Sequence, residues 1–551
     1  MRKDWQLGGT PHSAGRLFGF DYPSVIDPLA SQLNTRLLVA LPRLVLGPLL
    51  GLAFCCQGAD WPQFRGPTHD GISTDRLNEQ WTGSVTNPVW LVPVTNSLSG
   101  FAVSGGRAFT QIRRSIDSVD KDVCVALSIA DGAELWSAVI EDSNYPNGFV
   151  GYDDGPRTTP SFDGNSVFVL SSYLKLFRLD AANGAVIWQK DLLALYGGSV
   201  IRFQNAASPL IDSGLIYLNA NCGSSTLMAL RTSDGSVAWR SQNEAMTHST
   251  PTLATIQGVR QLIFAVQSGV VSLDPQTGTR LWHFNYPFVF NPLYSVATQP
   301  VVHQDMVFVS GCHCDSYGSV VRRVSLNGTN WTTTQLWWTN NPAAPFMNPV
   351  AYQGFLYGQF GIQQYDNPNA QLKCIDMQTG AVQWSTNGFG RGGTLLVNNR
   401  LLVLTEKGDL VLAAPNPNGY TQLGRCLAIP GYSNGDINKC WTAPAVADGR
   451  VYVRSTSFGA CFDFSKPSLT LDPPSPSPAN HFDLTVRTAN GTPLDSNRLA
   501  GMEVRASTNL ALSASAWPKL TNNLLLTNGV VRVLNVDGAP PRRYFIVREP
   551  Q

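Results

Sequence analysis

"LDAANGAVIW" (Leu179–Trp188), "LDPQTGTRLW" (Leu273–Trp282) and "IDMQTGAVQW" (Ile375–Trp384) are nearly the same ten letters, written far apart and each ending on tryptophan. Aligned on that tryptophan, looser copies end at Trp136 and Trp239. A copy with an insertion ends near Trp337, and a decayed one ends at Leu423. The glycine four residues before the anchor recurs as Gly132, Gly184, Gly235, Gly278, Gly380 and Gly419. The pattern predicts a hairpin. An apolar strand enters, and Asp or Ser opens the turn through its side chain. Gly takes a positive φ, and a second strand carries Trp on its inward face.

A second block precedes each hairpin, as in "TTPSFDGNSVFVLS" from Thr158, "ASPLIDSGLIYLNA" from Ala207 and "TAPAVADGRVYVRS" from Thr442. It reads as a short strand, a turn and an alternating strand. Four strands per unit, repeating every ~40–55 residues, is the spacing of propeller blades. A single four-stranded sheet cannot bury both faces, whereas radial stacking lets each cover the next. Trp90 in "NPVWLVPV" is an outer strand without a hairpin, and Thr442 to Phe464 supplies three inner strands without an outer one. Joined, they complete a ring and remove two open edges. The fold expected is therefore all-β: an eight-bladed β-propeller over residues 60–466, closed by an N-terminal strand, with seven blades as the alternative.

The 551 residues are 43% hydrophobic and only 14% charged, with a formal net charge of +1. No basic stripe points to nucleic acid. The apolar run Leu44–Phe54, followed by Gly58-Ala59, has signal-peptide length, so residues 1–59 read as a leader and the mature chain as secreted, periplasmic or at the outer cell envelope, with no transmembrane segment and as a monomer. "LAFC" at Leu52–Cys55 has the outline of a lipoprotein box, though Phe54 is large for it. Eight cysteines follow the leader. Cys426 and Cys440, flanking a Gly/Asn-rich loop, are the best disulfide pair, while Cys374 and Cys461 read as packed thiols. Residues 467–480 are Pro/Ser-rich and read as a linker. Residues 481–551, with alternating strands and Asn-Gly and Asp-Gly turns, read as a small β-sandwich-like module.

The repeats resemble the PQQ-like β-propeller family (a quinoprotein repeat of the broad WD40/YVTN-like kind), which includes quinoprotein dehydrogenases and the lipoprotein scaffold of outer-membrane β-barrel assembly. The opening "DWPQFRGPTHDGIS" from Asp60 is similar to the start of secreted members, and the tail resembles a module appended to large secreted proteins. The dehydrogenase branch would imply PQQ and calcium, with a vicinal disulfide against the quinone. The one Cys-Cys here, Cys55-Cys56, lies in the leader. No catalytic or metal residues are therefore assigned, and no cofactor is expected. A PQQ-dependent alcohol or sugar dehydrogenase is the alternative to a non-catalytic scaffold. The candidate contacts are the aromatic stretch Tyr286, Phe288, Phe290 and Tyr294, together with His248 and the paired Asp153 and Asp154. They would meet a protein or polysaccharide at the blade mouths. Cys312-His313-Cys314 alternates faces in a strand, which reads as structural rather than as half a metal site.

Overall fold

A computed structural model describes residues 38–40, 60–79, 81, 86–143, 155–287, 296–311, 318–340, 343–344, 346–361, 363–364, 367–368, 370–432, 438–477, 481–489, 491, 493–538 and 543–549. The chain divides into two compact units, residues 57–466 and residues 1–56 with 467–551.

In the larger unit, eight antiparallel sheets follow one another along the described residues. The second shows the common plan, with strands Ser161–Asp163, Ser166–Leu170, Lys175–Asp180 and Val186–Asp191 from inside to outside. The other innermost strands are Ala102–Ser104, Leu210–Asp212, Thr252–Ile256, Val301–His303, Val350–Tyr352, Gly393–Val397 and Ala445–Ala447. The eighth sheet takes its outermost strand from the other end of the sequence. Trp90–Pro93 pairs antiparallel with Phe458–Asp463, Trp90 opposite Cys461. The innermost strands of the eighth and first sheets then lie against each other. From the inside, Arg454 donates to Thr110 Oγ1 at 2.7 Å and to the Gln111 carbonyl at 3.0 Å, tying the same junction.

The ten-letter repeat is half of a clasp between sheets. Asp180 Oδ1 accepts from the N–H groups of Ala182 and Asn183, and Asp274 and Asp376 do the same in their turns. The Trp136 indole of the first sheet donates to the Ala181 carbonyl in the turn of the second at 3.0 Å. Gly184, at φ +75°, lies over that same ring, so that an added Cβ would stand 2.6 Å from Trp136 Cε3. Trp90 with Ile129, Trp188 with Thr232, Trp239 with Pro275, Trp337 with Met377 and Trp384 with Asn416 repeat the indole bond. Each copy therefore seats the tryptophan of the sheet before it and offers its own to the sheet after it.

Two junctions depart from the rule. The fifth sheet ends its outer hairpin on a tight Asn327–Asn330 turn. Trp282 finds no carbonyl there and donates to Gln261 Oε1 of its own sheet at 2.7 Å. At the seventh sheet Leu423 replaces the anchor, and Trp81 from the N-terminal segment fills the place. Trp81 stacks on Phe464 with centroids 4.3 Å apart and covers Gly424.

In the smaller unit, Leu469–Leu471, His481–Thr488, Val530–Asp537 and Leu524–Thr527 form one sheet, with Ser475–Ser477 also paired to His481–Thr488. Leu38–Ala40, Arg543–Arg548 and Glu503–Ser507 form a second. Leu484, Val486, Val504, Val531, Val533 and Phe545 share one core, a β-sandwich-like arrangement. The linker expected at 467–480 is corrected. Leu469–Leu471 and Ser475–Ser477 are strands on the edge of this unit, where proline is tolerated because that N–H needs no ladder partner. Leu38–Ala40, inside the stretch read as a leader, is likewise a paired strand.

The expected Cys426–Cys440 disulfide is also corrected, since both are free thiols, as are Cys124, Cys222, Cys374 and Cys461. Cys426 belongs to the outer strand Thr421–Leu427, and Cys440 is buried beyond it in the connection to the eighth sheet. Among the described residues no helix is long and apolar enough to cross a membrane.

Candidate functional site

A meander of four antiparallel strands puts its first and third turns at one end and its second turn and exit at the other. The ring therefore has two unlike ends, and the Asp-x-x-Thr-Gly turns all lie at the first. That end is occupied by the chain's own N-terminal segment. Trp61 exchanges backbone hydrogen bonds with Val103 of the first sheet, and the Pro62 carbonyl accepts from Phe162 of the second. Gln63 imitates a strand, its amide donating to the Ile211 carbonyl at 3.2 Å and accepting from the Ile211 N–H at 3.0 Å in the third. Arg65 donates to the Pro349 carbonyl at the sixth sheet at 2.9 Å and to the Asp70 carbonyl, and burial pushes its pKa down to about 10. Ile72–Ser73 adds a parallel strand inside the seventh sheet, and Asp75 accepts from the Gly449 N–H at the eighth at 3.0 Å. Residues 60–78 are thus a plug anchored to six of the eight sheets.

The opposite end carries the connections between sheets. Its charged side chains hold those connections in place. Glu406 accepts from Arg391 Nη2 at 2.7 Å and from the Trp441 indole at 3.0 Å, while the Arg391 guanidinium lies 4.3 Å from the Trp441 ring centre. Between the first and second sheets, Asp122 accepts from the hydroxyls of Ser143 at 2.6 Å and Ser172 at 3.1 Å. Glu141 accepts from the Ser171 hydroxyl at 2.9 Å and the Tyr173 N–H at 3.1 Å. Burial, reinforced by nearby Asp122, pushes Glu141 up to about 7, and burial also raises Asp122. Two leucines stand exposed at this end, Leu195 in the short helix Leu192–Tyr196 and Leu427 at the tip of the seventh sheet's outer strand.

The residues singled out from sequence fall unevenly. His248 lies at this end but is buried, its Nε2 at 2.8 Å from the Arg202 carbonyl, and desolvation lowers its pKa to about 4. It pins two connections and is no exposed rim residue. Tyr286 is corrected as a contact residue: it packs into the core with Trp282, Phe284 and Val296, because the alternation of its strand turns it inward. Phe288, Phe290, Tyr294, Asp153, Asp154, Cys312, His313 and Cys314 lie outside the described residues. Among the described residues no three His, Cys, Asp or Glu side chains converge as metal ligands. Asp122, Glu141 and Glu406 spend their oxygens on Ser, Trp and Arg donors, so they do not fit the six to eight oxygens of a calcium cage. The plug and Trp81 were invisible to sequence reasoning. The signals were the likeness of "DWPQFRGPTHDGIS" to the start of secreted members and its density of Trp, Gln, Arg and Gly with little strand periodicity, neither of which says where the segment packs.

The family model described as "Outer membrane protein assembly factor BamB" matches residues 119–386. The repeats over these residues are PQQ-like propeller repeats. The "Outer membrane protein assembly factor BamB" of Moranella endobia (strain PCIT) is 25% identical to the PQQ-like propeller over 300 residues, covering 52% of this chain and 70% of that protein. A quinohemoprotein alcohol dehydrogenase from Comamonas testosteroni superposes with TM-score 0.52 at 14% identity, over 80% of this chain and 84% of that one, which shows a shared fold. BamB from Moraxella catarrhalis gives TM-score 0.47 at 12% identity, over 69% of this chain and 99% of that one.

Proposed function

We propose that this PQQ-like propeller is an exported, non-catalytic scaffold of the cell envelope. It docks a protein partner of the outer-membrane assembly kind on the end of the ring opposite the plug. The observation that carries the reading is the division of labour between the ends. One is filled by residues 60–78. At the other, Glu406, Asp122 and Glu141 are consumed in fixing connections among the described residues, beside exposed apolar residues at Leu195 and Leu427. Fixed loops and exposed leucines suit recognition, because little conformational freedom is lost on binding. The repeat match to a protein described as an assembly factor supports this partner class over a polysaccharide.

The test is equilibrium binding of the purified chain to the same bacterium's outer-membrane assembly β-barrel protein. Saturable binding that Leu195→Glu and Leu427→Glu weaken together by tenfold or more, about 1.4 kcal/mol, supports the reading. Binding indifferent to both substitutions overturns the docking face. Dye-linked alcohol or sugar oxidation after loading with PQQ and calcium overturns the non-catalytic assignment.

A further inference from the structure

The plug leaves one sector open. Where residues 60–78 pass the fourth and fifth sheets, a half-open cavity of about 240 Å³ remains between plug and ring. Its polar wall comes from the plug. His69 is 2% exposed, yet neither ring nitrogen has a hydrogen-bond partner among the described residues. The cavity is what the ring faces, so its nitrogens can be satisfied only by what occupies that space. His69 holds a left-handed φ of 65°, so the backbone is also strained to place it there.

The remaining wall decides the chemistry. Arg260 donates to Asp212 at 3.0 Å. Arg65 is committed to backbone carbonyls, and Asp70 Oδ1 accepts from the Thr68 hydroxyl at 2.7 Å and the Ile72 N–H at 3.0 Å. Burial lowers the His69 pKa to about 4, so at neutral pH the ring is uncharged, offering one donor and one acceptor. No charge in the wall is left over to attract an ion. Across from these groups, Thr252, Thr255 and Gln304 of the ring add uncharged polar groups to the lining. The volume lies below the roughly 300–1,000 Å³ of pockets that take drug-sized ligands.

We propose that this cavity is a binding site for a single uncharged sugar ring, with His69 as its central hydrogen-bonding residue. A pyranose offers what the site lacks: uncharged hydroxyls, each donor and acceptor at once, for the imidazole and for the polar lining at Thr252, Thr255 and Gln304. Because the cavity is half open, it admits either a free monosaccharide or the terminal residue of a glycan.

The experiment is titration of the full chain, labelled with ¹⁵N-histidine, with glucose, galactose and N-acetylglucosamine. Acetamide, acetate and inorganic phosphate serve as probes of other chemistry, and a matching trisaccharide separates the two sources. The His69 ring resonances are assigned by their loss in His69→Asn, a residue that tolerates the left-handed backbone. Expected is a saturable millimolar shift of the His69 ring with at least one hexose, weakened severalfold by Gln304→Ala and lost in His69→Asn. No shift with any hexose, or an equal shift with acetamide, acetate or phosphate, overturns the proposal. If His69→Asn fails to fold, the ring is assigned by elimination from single Gln variants of the other six histidines, and the wild-type titration still decides.

Discussion

Adding one methyl group to the clasp separates its two requirements, a left-handed backbone and room for a neighbour's indole. In Gly184→Ala the new Cβ carries the cost of positive φ, about 1–2 kcal/mol. It also meets Trp136 Cε3 at 2.6 Å, where Trp136 is 8% exposed and bonded through its indole to the Ala181 carbonyl. Displacing a packed ring costs about 1–3 kcal/mol, for a total of about 2–5 kcal/mol. Gly164→Ala is the control. Its φ is +61°, and nothing lies within 4 Å of the added Cβ, so only the backbone cost of about 1–2 kcal/mol applies. The assay is urea denaturation followed by far-UV circular dichroism, comparing midpoints and slopes. Combined with Trp136→Leu, Gly184→Ala should cost less than alone, by about 1–3 kcal/mol of coupling. If Gly184→Ala and Gly164→Ala agree within about 0.5 kcal/mol, the clasp does not constrain the ring, and the glycine serves its turn only.

Trp81→Ala should destabilise the ring by about 3–5 kcal/mol, because Trp81 fills the missing anchor between Gly424 and Phe464, whereas Trp338→Ala, at a 42% exposed position, should be close to neutral by the same assay. Glu141 has a folded pKa of about 7 against an ordinary 4.5, so its contribution is complete below pH 4.5 and is lost as pH rises through 7. The loss is about 3 kcal/mol. Stability profiles of Glu141→Gln from pH 4.5 to 8 should lack that fall, and an unchanged profile would show that Glu141 ionises normally. Deleting residues 60–95 should aggregate or unfold the ring, since it removes the plug, Trp81 and the closing strand together, while deleting 468–551 should leave ring melting where it was, as its core clusters lie within 57–466. Calorimetry of both truncations decides this.

The hairpins were legible because each requirement is local. Asp and Gly define the turn, and the alternation places Trp. The closing strand was legible for another reason: Trp90 lacked a hairpin and Thr442–Phe464 lacked an outer strand, so strand counting joined them across the chain. What escaped is written without periodicity. Gln63 and Arg65 bind the ring through side chains reaching backbone carbonyls, and only Ile72–Ser73 of the plug is a strand. Trp81 substitutes for an anchor more than 300 positions away, a relation with no spacing to detect. Tyr286 misled because aromatic residues at a strand exit signal core and contact equally, and only burial tells them apart. The Pro/Ser stretch misled because composition cannot distinguish a linker from an edge strand, which tolerates proline at 476.

One of the two irregular junctions departs in more than one way. Between the fourth and fifth sheets Trp282 turns back into its own sheet, so no indole bond crosses there. The plug's backbone and amide bonds reach sheets one to three and six to eight, and this same sector has none of them. On the outer side packing takes over, where Trp282, Phe284, Val307 and Val320 share a core, while toward the inside Thr252 donates to the Pro300 carbonyl at 2.8 Å and Gln299 to the Pro251 carbonyl at 2.7 Å. Dispersion holds surfaces together without fixing their register, whereas an indole bond and a glycine seat fix both. The junction whose outer hairpins lack the indole bond is also the one where the cavity opens beside His69. Of the two junctions that lack the indole bond, Trp81 repairs the one at the seventh sheet, and the one beside the cavity is left without a substitute anchor.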